Sequence, residues 1–241
     1  MQSNNDPRKN RLLAALPPAI YERWLPKLQR FDMPLGEVLY ESGVQMSHVY
    51  FPTNAIVSLL YVMQDGASAE IAVVGKEGVV GVSLFMGGNS TPSRAVVQGA
   101  GGGYCMRGDE LYAEFMTDTE VMQLLLRYAQ ALLTQMAQTA VCNRHHALEQ
   151  QLCRWLLLSL DALDGNVVSM TQELIANMLG VRRGGVTDAA VKLQTAGVIR
   201  YKRGQIEVLD RPGLERLTCE CYAVVKKEYE RLLPPRVEDV L

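Results

Sequence analysis

TQELIANMLGVRRGGVTDAAVKLQTAGVIRYKRGQIEVL, residues 171–209, is the stretch from which the rest of the chain can be read. Thr171 stands where a helix N-cap belongs, and Leu174, Ile175, Met178 and Leu179 follow at the spacing of one buried helical stripe. Gly180 closes this first helix, because a residue at ease in the left-handed region is needed where two helices meet steeply within a few residues. Val181 can plug the corner. A second helix, expected over 182–195, buries Val186, Ala189, Ala190 and Leu193 and turns Arg182, Arg183, Thr187, Asp188 and Lys192 outward. Gly197 ends it, and two short strands, 198–202 and 205–209, are joined by Arg203-Gly204. Stripe, corner glycine and paired strands agree on a helix-turn-helix with a β wing. A three-helix packing unit with a solvated basic face would account for the stripe alone.

Charge supports a nucleic-acid reading. The formal net charge of the 241 residues is −2. Residues 171–205 nevertheless hold Arg182, Arg183, Lys192, Arg200, Lys202 and Arg203 against only Glu173 and Asp188, so positive charge is concentrated there. The second helix suits the major groove of double-stranded DNA. There Arg183 is the expected base reader, since a guanidinium can grip the O6/N7 pair of guanine with two hydrogen bonds. Thr171, Arg182, Thr187, Lys192, Lys202 and Arg203 are expected to hold phosphates. Asp188 could accept from a cytosine amino group, orient Arg183, or simply be solvated.

Upstream the texture changes twice. Residues 12–30 read as a short helical lead-in. From about Phe31 to Met106, β-like runs at 38–40, 49–51, 56–62, 69–74, 79–82 and 95–97 alternate with turn-formers, as in a sandwich, roll or barrel. Gly101-Gly102-Gly103 reads as a strand-edge turn. Residues 109–163 contain no Gly or Pro and have a helical period. Met122, Leu126, Ala129, Leu133, Met136 and Ala140 form a heptad seam, while Val121, Leu125, Tyr128 and Leu132 form a second stripe that turns polar at Gln135 and Thr139. One stripe can pack on the helix's own β domain and the other on a second copy of the chain. Asn143-Arg144-His145-His146 interrupts the pattern before a second helix, Asp164-Gly165-Asn166 ends that helix, and a single helix over 212–233 closes the chain.

The run TQELIANMLGVRRGGV, with Leu193 and Gly197-Val198-Ile199 behind it, resembles the Crp/Fnr family of bacterial regulators, and the likeness extends over nearly the whole length. The resemblance implies an α+β chain. A cyclic-nucleotide-binding-like β-roll (jelly roll) would occupy residues 1–117, a long dimerisation helix 118–142, and a winged helix-turn-helix with its hinge helix 143–241. It implies a cytoplasmic homodimeric transcription regulator on a two-fold-related operator, with RNA polymerase as a further partner and no membrane. The reading helix departs from the common family pattern. Arg183 is kept, Gly184 stands where a glutamate is usual, Val186 is kept, and Asp188 stands where a second arginine is usual. The stretch that would be the effector pocket is Gly81, Val82 and Ser83, then Arg94. Val82 replaces a ribose-binding glutamate and Ala95 a hydroxyl residue, so cyclic-nucleotide binding is not expected and the effector is unassigned.

Other chemistry is sparse. Hydrophobic content of 48% with 21% charged residues is that of an ordinary globular chain. The polar N-terminus lacks a secretory h-region, and no run approaches the roughly 18 apolar residues of a membrane span. Cys105, Cys142, Cys153, Cys219 and Cys221 show no CxxC pair or metal-ligand spacing, so they read as reduced structural thiols and no metal ligand is assigned. Cys219 and Cys221, two apart, would point to different sides of a helix. No cysteine precedes Cys105, so no iron–sulfur cluster is expected. His145-His146 reads as a solvated or capping pair rather than a haem ligand. No Ser-His-Asp order, HExxH, P-loop or GxGxxG suggests an enzyme. A cyclic-nucleotide-responsive subunit acting on a protein partner is the alternative, disfavoured by the basic helix-turn-helix and the eroded cassette.

Overall fold

The computed structural model describes residues 6–163, 165–202 and 204–233. Two short helices, α1 (Arg11–Ala14) and α2 (Pro18–Trp24), open the fold. Asn10 caps α1 by accepting from the amides of Leu12 and Leu13, and its own amide donates to the carbonyls of Pro52 (2.9 Å) and Gly78 (2.8 Å). These two bonds fasten the lead-in to the β domain. Seven strands come next: β1 (Gln29–Met33), β2 (Val38–Tyr40), β3 (His48–Pro52), β4 (Ile56–Val62), β5 (Ser68–Val74), β6 (Ser93–Gly99) and β7 (Gly101–Arg107). They form two antiparallel sheets, β1-β7-β3 and β2-β6-β4-β5, which is the expected roll.

Two expectations are corrected here. Residues 79–82 make only an isolated bridge, Tyr50 to Val80, before a 3-10 turn at Val82–Leu84. The Gly101-Gly102-Gly103 run is not an edge turn. It lies inside β7, with Gly103 opposite both Phe31 and Pro52. A Cβ on Gly101 would stand 2.5 Å from the Asn54 carbonyl oxygen, so the glycine answers a close backbone approach rather than a bend.

Helix α3 (Gly108–Thr117) leads into α4 (Thr119–His145), whose N-terminus is capped by Asp118. Val121, Leu125, Tyr128 and Leu132 are buried against the roll. The stripe turns polar for a reason sequence could not show. Gln135 Oε1 accepts from the amide of Val73 (2.7 Å), and Thr139 Oγ1 accepts from the guanidinium of Arg154 (3.1 Å). Tyr128 likewise donates to the Val79 carbonyl at 2.9 Å. Among the described residues no helix is long and apolar enough to cross a membrane.

After a break at His146-Ala147 come α5 (Leu148–Ala162), β8 (Val167–Ser169), α6 (Gln172–Leu179), α7 (Arg183–Thr195), β9 (Ile199–Lys202), β10 (Gln205–Val208), α8 (Arg211–Leu217) and α9 (Glu220–Leu232). The wing has a third strand that the sequence reading lacked, since β8 pairs antiparallel with β10. The single closing helix is also corrected. Extended Thr218 and Cys219 split it into α8 and α9. Helix α9 then runs back to α4, and its Val225, Tyr229 and Leu232 join the core of the roll rather than that of the winged domain.

The second core is shared. Ile56, Leu60, Val73 and Val96 on the four-stranded sheet are buried with Leu152, Trp155 and Leu156 of α5 and Ile175 and Leu179 of α6. Glu70 is buried on the same sheet, accepts a hydrogen bond from Ser58, and lies close to Arg154 and Trp155. Burial pushes its carboxyl from 4.5 up to about 8, against the opposing pull of Ser58 and Arg154. In the folded chain at neutral pH it is therefore mostly protonated, whereas in the unfolded chain it is ionised. A raised acid pKa makes the folded state bind the extra proton, so this group's contribution falls as pH rises from about 4.5 to about 8. Comparing urea midpoints of the wild type and Glu70→Gln at pH 6 and pH 8.5 is expected to show the variant gaining relative stability at the higher pH. Parallel pH profiles would place Glu70 in its ordinary range.

Candidate nucleic-acid interface

The corner of the motif is built as its residues require. Thr171 Oγ1 accepts from the Leu174 amide at 3.2 Å, and Gly180 ends α6 with φ +64°, a conformation costly to any side chain. Val181 packs half-buried in the corner. Arg182 is the N-cap residue of α7, and Val186, Ala189, Ala190 and Leu193 are all buried. Gly185 lets the helix approach α5, since a Cβ there would lie 2.9 Å from Leu148 Cδ2.

The outward face carries a gradient of availability. Arg182 and Arg183 are exposed, and among the described residues neither guanidinium makes a hydrogen bond or ion pair. Asp188 is exposed too and forms no ion pair with Arg183. The hydroxyl of Thr187 is engaged inside the motif, donating to Gln172 Oε1 (2.8 Å) and to the Arg183 carbonyl (3.1 Å). Lys192 is paired with Glu149 of α5, which holds the ammonium above its ordinary pKa while the carboxyl is lowered. Lys202 is exposed at the end of β9, where Arg200 and Glu207 pair across the wing at 3.0 Å. Arg203 lies outside the described residues. The open end of α7 is therefore its first turn, where Arg182 and Arg183 stand.

The expected effector stretch is arranged differently from a phosphate cradle. Val82 and Ser83 begin the 3-10 turn after Gly81, and Arg94 lies on β6 opposite Leu60. The Arg94 Nε stands 3.2 Å from Glu41 Oε2, so its charge already has a partner. The open cleft of about 560 Å3 beside this turn is lined by Met46, His48, Leu84, Gly87, Arg107 and Asp109 among others.

On α4 the inner stripe is buried and the outer one is bare only in part. Leu126 and Leu133 are 47% and 61% exposed, Met122 and Met136 are half-buried, Ala140 is exposed, and Ala129 is covered. Sequence reading missed one grouping altogether. Cys142 and His146 at the end of α4 meet Cys219 and Cys221 at the start of α9. The helical i, i+4 spacing of Cys142 and His146 was the available signal.

Residues 150–217 match the Crp-like helix-turn-helix domain. Similar solved structures include one described as a transcriptional regulator of the Crp/Fnr family from Eubacterium rectale, with a TM-score of 0.68 and 15% identity, covering 87% of this chain and 98% of that one. FixK2 from Bradyrhizobium japonicum aligns with a TM-score of 0.66 and 19% identity over 80% of this chain and 98% of its own. The c-di-GMP-responsive global regulator CLP of Xanthomonas campestris gives 0.61 and 15%, with coverages of 80% and 99%. No curated protein sequence matches the chain. Residues 150–217 thus carry a Crp-like helix-turn-helix domain, and the chain as a whole has the fold of these solved regulators.

Availability can be tested through salt. Each phosphate neutralised adds about 0.9 to the slope of log affinity against log salt. Arg182→Ala is expected to lower the slope by about that amount and to weaken all DNA sequences alike. Lys192→Ala is expected to lower it by less, because Glu149 already neutralises the ammonium. Equal losses would mean that DNA strips Lys192 from its partner.

Proposed function

We propose that this protein is a sequence-specific DNA-binding transcription regulator that holds a near-palindromic operator as a homodimer, under the control of a signal received by the β-roll. The observation that carries the reading is the pair of unpartnered arginines on the first turn of α7, inside a Crp-like helix-turn-helix. Arg183 reads a base edge, Arg182 and Lys202 hold phosphates, and RNA polymerase is the partner through which binding is felt. Pairing through α4 accounts for the stripe of Leu126 and Leu133 that the chain's own fold leaves bare. Burying a leucine contributes about 1.5–3 kcal/mol, so a few such residues from each copy make a competent seam. Two α7 helices related by a two-fold axis then meet successive major grooves, which sets half-sites about one helical turn apart.

The direct test is selection of bound sequences from random duplex DNA by the purified, effector-free protein. Enrichment of a near-palindrome supports the reading and marks the free form as competent; no enrichment with or without cell extract removes it. Within an enriched site, Arg183→Ala is expected to relax one base of each half-site, at about 1–3 kcal/mol of discrimination, with non-specific affinity largely kept. A uniform loss across sequences would make Arg183 a phosphate contact. Placing aspartate at both Leu126 and Leu133 is expected to give monomers in sedimentation, because charges would enter an apolar seam. A dimer that survives both changes would put the interface elsewhere.

A further inference from the structure

Cys142, Cys219 and Cys221 form a small buried cluster apart from the two large apolar cores, at 0%, 4% and 1% exposure. All three are free thiols, and His146 completes the group. The four ligand atoms lie within 4.8 Å of one another. Cys142 Sγ is 3.5 Å from Cys219 Sγ, and Cys221 Sγ is 3.5 Å from His146 Nδ1. In a tetrahedron built with metal–sulfur bonds of about 2.3 Å and metal–nitrogen bonds of about 2.0 Å, the edges are about 3.8 Å and 3.5 Å. The spacing is thus that of ligands around a single small ion. It is too long for a disulfide, whose sulfurs stand about 2.05 Å apart. It is also tight for a cluster of several metal atoms, which spreads its thiolates further.

We propose that Cys142, His146, Cys219 and Cys221 hold one zinc ion that clamps the end of α4 to the start of α9. Three sulfurs and an imidazole select a soft or borderline cation over calcium or magnesium. Four protein ligands close the coordination sphere, which is the mark of a structural site rather than a catalytic one. Two further features fit. His146 Nε2 lies 3.4 Å from Glu220 Oε1, the carboxylate–histidine arrangement that orients an imidazole so that its other nitrogen meets the metal. Arg154, buried at 3% exposure and close enough to act electrostatically on Cys142, supplies the positive charge that three thiolates and one divalent ion leave uncompensated. The spacing rules passed over this site because its halves lie 77 residues apart in the chain. Cys219 is the N-cap residue of α9 rather than part of the helix, so its sulfur and that of Cys221 converge. The absence of metal ligands expected from spacing is thereby revised.

The site stands at the His146-Ala147 joint, where α4 ends and α5 sets off toward the winged domain. A zinc there fixes the joint and draws α9 back against α4. The experiment is elemental analysis of the full-length, untagged protein, purified under reducing conditions with zinc in the medium and then gel-filtered. One zinc per chain is expected, with X-ray absorption showing three sulfurs at about 2.3 Å and one nitrogen at about 2.0 Å. Cys142→Ser and Cys221→Ser are expected to lose that equivalent, and Cys105→Ser to keep it. If the first two variants fail to fold, the absorption spectrum of the wild type decides. Chelation is expected to lower Tm and to expose three additional thiols to a thiol reagent. Metal-free protein, zinc retained by Cys142→Ser or Cys221→Ser, a disulfide by mass, or iron with labile sulfide would each overturn the assignment.

Discussion

The burial of one side of α4 is the constraint on which the molecule is built. Val121, Leu125, Tyr128 and Leu132 fill the roll, and once they do, the geometry of a helix leaves Leu126 and Leu133 facing away from it. The 27-residue length then carries the last turns past the sheet, to the point where α5 and α9 can both be attached. Polar groups mark the transition. Gln135 satisfies the Val73 amide at the end of β5, and Thr139 accepts from Arg154 of α5, so the same helix that ends the roll begins the support of the reading domain.

The reading domain is not hung on a free linker. The sheet β2-β6-β4-β5 is apolar on both faces, and its outer residues Ile56, Leu60, Val73 and Val96 share a core with α5 and α6. Burying that face favours one placement of the helix-turn-helix. The polar groups enclosed with it, Glu70, Ser58 and Arg154, favour one register within that placement, because a buried polar group without a partner is expensive. A structural change in the roll near β4 or β5 would act directly on the surface that holds α6. Arg94, drawn into an ion pair with Glu41 although its Nε makes no hydrogen bond, is less suited to meet an anionic ligand than a free arginine would be.

What was legible in the sequence was what periodicity and turn chemistry encode locally. The stripe of α6 and the buried face of α7 follow from helical spacing, and the αL glycine at 180 from turn chemistry, and each stands where it was expected; on α4 the inner stripe is buried, while Ala129 of the outer one is covered by the chain's own fold. The misreadings share a different origin. β8 is three residues long and exists only because β10 offers it an edge, so no local pattern announces it. The glycines of β7 resemble a turn, yet they are needed because another strand's backbone passes close by. The closing helix divides at Cys219 because α9 is drawn to α4, a partner over seventy residues away in the chain. Long-range proximity also hid the availability of the basic side chains. Arg183 and Lys192 lie on opposite flanks of the buried stripe of α7, and only Lys192 finds an acid across the α5 contact.

The departures in the reading helix are chemical rather than steric. Gly184 occupies the place of a usual glutamate, and a Cβ built there meets nothing within 4 Å. The fold would accept the larger residue, so no packing demand explains the glycine. Its effect is to remove an acceptor that could bind a cytosine amino group, and to leave Arg183 without a neighbouring carboxylate to fix its direction. Asp188, one turn and a half further along, is exposed but does not take over that role in the free protein. A guanidinium with no internal partner keeps more rotamer freedom until it meets DNA, and ordering a long side chain costs up to about 2 kcal/mol. If α7 reads DNA as proposed, it would reach its site less preorganised than a helix with an arginine–glutamate pair, and more of its discrimination would have to come from contacts that form only in the complex.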